Sequence, residues 1–158
     1  MLGLVPWTEF SSDEPELAAH GERLLSESHG YAFLATVAAN GAPRVHPVAP
    51  IFAGDGVYVA VASSSPKLGD LRRDPRIALH SAVIAPHDEE FSLRGIVHEL
   101  TDPAARAEVA ASMRAGAELV DHMVLFDIDI DSVGWAVWSD GTPQRRRWRR
   151  QAQPSQEH

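Results

Sequence analysis

Cysteine is absent from all 158 residues, which removes disulfides, thiolate zinc sites and thiol nucleophiles. Aromatic residues are few, at 7%. No apolar run approaches the length of about 18 residues that reads as a membrane-crossing helix, and no basic segment leads into an apolar one at the N-terminus. The expected compartment is therefore the cytoplasm, with no membrane partner. Positive charge is also short: 14 Lys and Arg stand against 22 Asp and Glu, a net charge of -8 that argues against nucleic acid. What is present is a globular composition, 44% hydrophobic and 23% charged, in a chain suited to one domain.

The chain is organised around residues 31–83. Tyr31 to Ala39 alternates as a strand, Asn40-Gly41 predicts a type I′ hairpin turn, and Arg44 to Phe52 returns as a second strand. Ala53-Gly54-Asp55-Gly56 turns the chain into a third strand, Val57 to Ala62. Pro47 and Pro50 lack the N–H a ladder needs, so the second strand should bulge or run along an edge. A loop, Ser63-Ser64-Ser65-Pro66-Lys67, leads into a short helix ended by Asp74-Pro75, and Arg76 to Val83 is the next strand.

That loop carries the chemistry. Ser65 is a credible N-cap and Pro66 a favoured first helical residue, which puts Lys67 in the first turn. Three hydroxyls, the free N–H groups of a helix start and one ammonium make a natural phosphate cradle. The same residues also occur on ordinary solvated helix starts, so the context has to decide.

The ordered set strand, Asn-Gly, Pro-Arg-Val-His-Pro-Val, Gly-Asp-Gly, Val-Tyr-Val, Ser-Ser-Pro-Lys, Leu-x-x-Leu, Asp-Pro-Arg-Ile-Ala-Leu resembles the flavin-binding split-barrel superfamily typified by pyridoxamine 5'-phosphate oxidase. The likeness is good over residues 31–84 and looser beyond. It implies a mainly β fold, an antiparallel split β-barrel of six to eight strands with peripheral helices and Greek-key-like connections. It also implies a flavin mononucleotide (FMN) phosphate held by Arg44 and Lys67, with Ser63, Ser64 and Ser65 donating hydroxyl hydrogen bonds. The wider cofactor-contact set it implies adds Val45, His46 and Pro47, Val61, Leu68 and Trp138. In such proteins the cofactor lies between two subunits, so a homodimer is expected. A deazaflavin coenzyme and haem are the alternative cofactors, and a non-catalytic binding protein is the alternative to an oxidoreductase. No residue stands out as a general base, so the catalytic residues and the substrate, expected to be a small molecule, stay open.

The rest of the chain reads in order. Residues 1–12 form a loose arm carrying Trp7 and Phe10, and the single domain spans 13–150. Asp13 with Glu16 makes a capping-box pattern for a helix whose face is Leu17, Gly21, Leu24 and Leu25, with Gly30 as its stop. Phe91 to Thr101 alternates as a strand, Asp102 and Pro103 open an Ala-rich helix with Val109 and Met113 on one face, and Gly116 ends it. Val124 to Ile130 and Val133 to Trp138 are two more strands. After the turn Ser139 to Pro143 comes a basic segment, Arg145 to Arg150, and then a disordered polar tail, 151–158.

Three further constellations carry weaker signals. His46, His80 and His98 lie on separate strands without metal-ligand spacing, so no metal is expected. His46 follows Arg44 by two residues and shares its side of the strand, which would let it face a flavin ring; His46, His98 and His122 are the candidate axial ligands should haem bind. Asp127, Asp129 and Asp131 alternate as a solvated face rather than a calcium loop, which would need a Gly and a later Glu. The basic segment is expected to fold onto a neighbouring subunit's acidic strand or to add cations near the ligand; Trp138 with Arg145 or Arg147 is the nearest match to the family's late Trp and Arg, but an Arg-x-His signature is missing.

Overall fold

The computed structural model describes residues 5–27, 31–86, 88–113 and 122–151. Two helices come first, α1 (Trp7–Asp13) and α2 (Pro15–Glu27). The first overturns the loose arm expected over residues 1–12. Trp7 and Phe10 are buried, meet edge-to-face at 5.1 Å, and reach Phe52 and Trp148 respectively. Aromatic burial holds α1 in place, since a helix of seven residues is too short to persist alone. Asp13 therefore ends α1 instead of capping α2. Helix α2 buries Leu17, Leu24 and Leu25 as its period requires. Its Gly21 permits close approach to the Phe91 ring, because a Cβ there would collide with Phe91 Cζ. The proposed stops Gly30 and Gly116 lie outside the described residues, as does the tail beyond Gln151.

The strands are β1 (Ala32–Val37), β2 (Pro43–Val48), β3 (Ile51–Ala53), β4 (Gly56–Ala62) and β5 (Arg76–Ser81), with α3 (Pro66–Arg73) between the last two. The Asn40-Gly41 hairpin forms, but not as type I′. Gly41 alone has positive φ there (83°); its N–H donates to Ala38 O, and the Ala38 N–H donates to Ala42 O. This is the three-residue loop with a glycine bulge. The expected second strand breaks at Ala49-Pro50 into β2 and β3, and β2 with its two prolines lies at one end of the strand order, where missing donors are tolerated.

Beyond β5 come β6 (Glu89–Leu100), α4 (Pro103–Ala111), β7 (Met123–Ser139) and β8 (Thr142–Arg149). Asp102 caps α4 by accepting the Ala105 N–H at 2.9 Å. The two late strands expected at 124–130 and 133–138 are the single long β7. A register shift at Arg94/Gly95 leaves Asp131 as the extra residue between Ile130 and Ser132, so the strand bends without ending. The basic segment is itself a strand. Asp140 (φ 53°) and Gly141 (φ 77°) supply the two positive angles of a tight hairpin, and β8 returns along β7.

All pairings are antiparallel, in the order β2-β1-β5-β6-β7-β4-β3 with β8 added on β7. Among the described residues β2 is not hydrogen-bonded to β3 or β4, so the rolled sheet is open there, and α3 packs at that side against β1 and β4. This is a split β-barrel of eight strands with peripheral helices. Its core runs through Leu34, Leu79, Leu93, Phe91, Phe126 and Ile130. A smaller cluster, Ile51, Ala53, Val109 and Leu125, seats α4. No helix among the described residues is long and apolar enough to cross a membrane.

Candidate functional site

The opening between β2 and α3 gathers the residues that the sequence singled out. Thr36 and Leu34 on β1 stand opposite Arg44 and His46 on β2, so period two puts both of these side chains on one side of the edge strand. Val45 and Pro47 point to the other side, where Val45 is 63% exposed. Across the opening, Ser65 caps α3: its hydroxyl accepts the Lys67 N–H at 3.3 Å, and Pro66 takes the first helical position.

One turn into α3 lies a residue the sequence reading passed over. Asp70 is buried, accepts the Thr36 hydroxyl at 2.9 Å and the Arg73 guanidinium at 3.0 Å, and forms an ion pair with Arg44 Nε at 2.9 Å. Burial works to raise its pKa, but the Thr36 and Arg73 hydrogen bonds and the Arg44 and Arg73 charges outweigh it and hold the carboxyl below its usual range. Asp70 thereby holds the Arg44 side chain through Nε.

Two groups there are left uncompensated. Burial pulls the Lys67 pKa down, and among the described residues no carboxylate pairs with its ammonium. His46 Nε2 is enclosed without a hydrogen-bond partner. Burial first, then the positive charges of Lys67 and Arg44, lower the His46 pKa, with Asp70 opposing them. The imidazole is thus held neutral beside two cations. A bound anion would relieve both defects.

The cradle differs from its expected form in its main-chain donors. The N–H of Ser63 goes to His122 O, that of Ser65 to Ala62 O and that of Leu68 to Ser65 O. These three N–H groups are therefore already committed within the chain. Val61 and Leu68 have their side chains in the core, which restricts them to main-chain contact. Trp138 lies four strand spacings from β2, about 19 Å along the sheet. In a single chain it does not join the cradle; its ring instead carries Arg145 Cζ at 6.0 Å.

The other constellations also resolved. Of the three aspartates expected on a solvated face, only Asp131 is exposed. Asp129 is 4% exposed, accepting the Val5 N–H at 2.6 Å and Arg150 at 3.0 Å, because the N-terminal segment lies across β7. Asp127 is half-buried with Oδ1 unpartnered; burial, helped by Asp55 and Asp129 against the charge of His98, pushes its pKa up to about 6. Nothing local marked these residues, since their cover comes from the far end of the chain. The arginine run folds onto acids of its own chain: Arg150 onto Asp129 and Asp131, Arg146 onto Glu14 and Glu16. His80 leans on Ser81 O and Glu90, His98 lies 4.0 Å from Asp129, and the described residues hold no group of three potential metal ligands.

Comparison with known proteins places this architecture. The family model for pyridoxamine 5'-phosphate oxidase matches residues 21–133. No curated protein matches the chain in sequence. Among solved structures it is similar to a heme binding protein from Mycobacterium smegmatis (TM-score 0.62, 21% identity, 81% of this chain and 57% of that one). It is also similar to a Clostridium acetobutylicum protein related to general stress protein 26 of the pyridoxinephosphate oxidase family (TM-score 0.63, 18% identity, 85% and 95%). An F420 reductase superposes as well (TM-score 0.56, 19% identity, 71% and 94%). At these identities the solved structures speak for the fold, and the matched span, from α2 to the bulge of β7, covers most of the chain: it belongs to the pyridoxamine 5'-phosphate oxidase family.

Proposed function

We propose that the protein binds FMN with its phosphate in the opening between β2 and α3, and acts as a flavin-dependent oxidoreductase on a small molecule. The observation that carries this reading is Lys67, a half-buried ammonium without a counter-charge among the described residues, beside Arg44 and the unpartnered His46 Nε2. A dianionic phosphate asks for charge-assisted donors from several directions. Lys67 supplies a point charge and Arg44 a planar fork oriented by Asp70. The Ser65 hydroxyl accepts one bond from the Lys67 N–H and keeps its proton to donate. Ser63 and Ser64, both exposed, extend the donor set. His46, kept neutral, can donate from Nε2 to a phosphate or ring oxygen without adding charge. When bound, the flavin supplies the hydride or electron transfer; the chain contributes binding, orientation and electrostatics.

The face for a second subunit follows from what stays uncovered. Tyr31, Phe33, Val45, Val83 and Ile84 are large apolar residues left exposed around β1, β2 and the segment after β5. Apolar area of this kind on a small chain favours association, and the reading includes a homodimer with the cofactor between the subunits.

Titration with FMN and with riboflavin tests the reading. Tight FMN binding and riboflavin binding weaker by about tenfold or more are expected, since riboflavin lacks the phosphate. Equal affinity, or no binding of either, overturns it. A second reading has its own support: the buried lone His46 nitrogen is what an axial haem ligand requires, and one similar structure is a heme binding protein. A Soret band that disappears in His46→Ala would favour it. The deazaflavin coenzyme would use the same cations and is separated by adding it to the same titration.

A further inference from the structure

Lysine is nearly absent from this chain. One lysine and 13 arginines make up its 14 basic side chains, and the one lysine is Lys67. A guanidinium keeps its charge at any pH a protein meets, whereas an ammonium can shed a proton and then carries a nucleophilic lone pair. Position 67 therefore holds the only side-chain amine in the sequence. It is placed unlike a surface lysine. The Ser65 cap and Pro66 put it in the first turn of α3, it is partly buried, and among the described residues no carboxylate pairs with it. Burial lowers its pKa, so near neutral pH a larger share of it is uncharged than of an exposed lysine. Its charge and that of Arg44 both bear on His46, which gathers the three side chains at one opening. The Ser63 and Ser64 residues stand exposed at the same helix start. An amine able to lose its charge thus lies among groups suited to a phosphate.

We propose that Lys67 is an acylation site: its amine takes the acyl group of a small acyl phosphate seated in the opening between β2 and α3, and the acylated chain loses its hold on FMN. The loss of FMN rests on the FMN reading; the acylation needs only that the opening accept a phosphate. In the step, the uncharged Nζ attacks the carbonyl carbon, a C–N bond forms, and the bond from that carbon to the bridging oxygen breaks. The proton shed by the nitrogen leaves with the phosphate. An amine and an acyl phosphate dianion so become an amide and hydrogen phosphate, with the total charge unchanged and no electrons exchanged. Arg44, held by Asp70 at 2.9 Å, and the serine hydroxyls bind the phosphate end and thereby bring the carbonyl carbon to the amine. The amide carries no charge and adds bulk, so a flavin phosphate finds one charge-assisted donor fewer. An arginine at position 67 would supply the positive charge without this reactivity.

Incubation of the full chain with acetyl phosphate, read by peptide mass spectrometry, tests the site. Lys67 is expected to be acetylated at least about tenfold faster in the folded chain than in a synthetic peptide of residues 61–74, because only the fold gathers phosphate and amine. Saturating orthophosphate should slow the folded reaction about tenfold, and Arg44→Ala should do the same. With N-acetoxysuccinimide, a neutral acetyl donor, orthophosphate should have no such effect. If Arg44→Ala does not fold, the competition by orthophosphate still decides. The acetylated chain should bind FMN at least about tenfold more weakly than the unmodified one. A folded rate no higher than that of the peptide, or a rate indifferent to orthophosphate, overturns the proposal. So does acetylation of Lys67 that leaves a measurable FMN affinity unchanged. Acetylation sensitive to orthophosphate in a chain that never binds FMN would keep the acylation site and remove the FMN reading; tight FMN binding without acetylation would do the reverse.

Discussion

Asp70 and Asp127 are both carboxylates drawn out of water, and they ionise in opposite directions. Burial pushes each pKa upward. Around Asp70 it is overruled by Thr36, Arg73 and Arg44, each within 3.0 Å. Around Asp127 burial, with the charges of Asp55 and Asp129, outweighs the charge of His98 and the Ile128 backbone hydrogen bond, one oxygen has no partner, and the value rises to about 6. Depth alone therefore does not set the charge state. What stands within hydrogen-bonding distance does, and the same chemistry becomes a rigid strut at one site and a proton-binding group at the other.

Breaking the strut should have the largest effect. Asp70→Asn leaves Arg44 and Arg73 facing a neutral group in a buried setting, and is expected to cost about 3 kcal/mol in chemical denaturation at pH 7. Because the folded pKa of Asp70 is depressed, its contribution is present above the ordinary carboxylate range and is lost as the pH falls through it. The acid limb of the stability profile should accordingly flatten in this variant.

Lys67→Ala asks whether the cations near Asp70 serve that carboxylate or a ligand. Lys67 has no acidic partner among the described residues, so folding stability should hardly change, while FMN affinity falls by about 2 kcal/mol, or about thirtyfold, in the flavin titration. A loss of stability with unchanged affinity would assign Lys67 to the scaffold.

Asp127→Asn should act with the opposite sign to Asp70→Asn. A folded pKa raised to about 6 means the folded chain binds the proton more tightly than the unfolded one, so stability rises as the pH falls from about 6 toward the ordinary carboxylate range. The full shift corresponds to about 3 kcal/mol, but the group is only half-buried and solvent screening reduces it. The amide is expected to gain about 1 kcal/mol at pH 8 and nothing at pH 4, read from melts across that range. The exposed pair Arg72–Glu99 (2.7 Å) completes the series: Arg72→Ala should leave the melting temperature within about 1 °C.

What could be read in the sequence follows the reach of its signals. The Ser65 cap, the Asp102 cap, the Arg44/His46 side of β2 and the core face of α2 are all written within a few residues, and each appears as read. Elements stabilised from a distance were not legible. Helix α1 depends on Phe52 and Trp148, and the burial of Asp129 depends on Val5, 124 positions away. Asp70 escaped notice because an aspartate in a helix reads as solvated until Thr36 and Arg44 are known to face it. Strand β8 had a local cue in Asp140-Gly141, but a run of five arginines in six positions carries no alternation of polarity to mark a pleat.

That last point gives the β7–β8 turn an unusual task. The arginines of the run are chemically identical, and only the phase of the pleat decides which become internal struts and which stand exposed. A single residue inserted or deleted at Asp140-Gly141 would shift that phase by one, moving Trp148 to solvent and Arg147 and Arg149 against Phe10 and the aromatic core. Composition, net charge and hydropathy would be almost unchanged, while the inside and outside of the strand would be exchanged. The turn therefore sets the polarity of its strand in a way that no count of residues records.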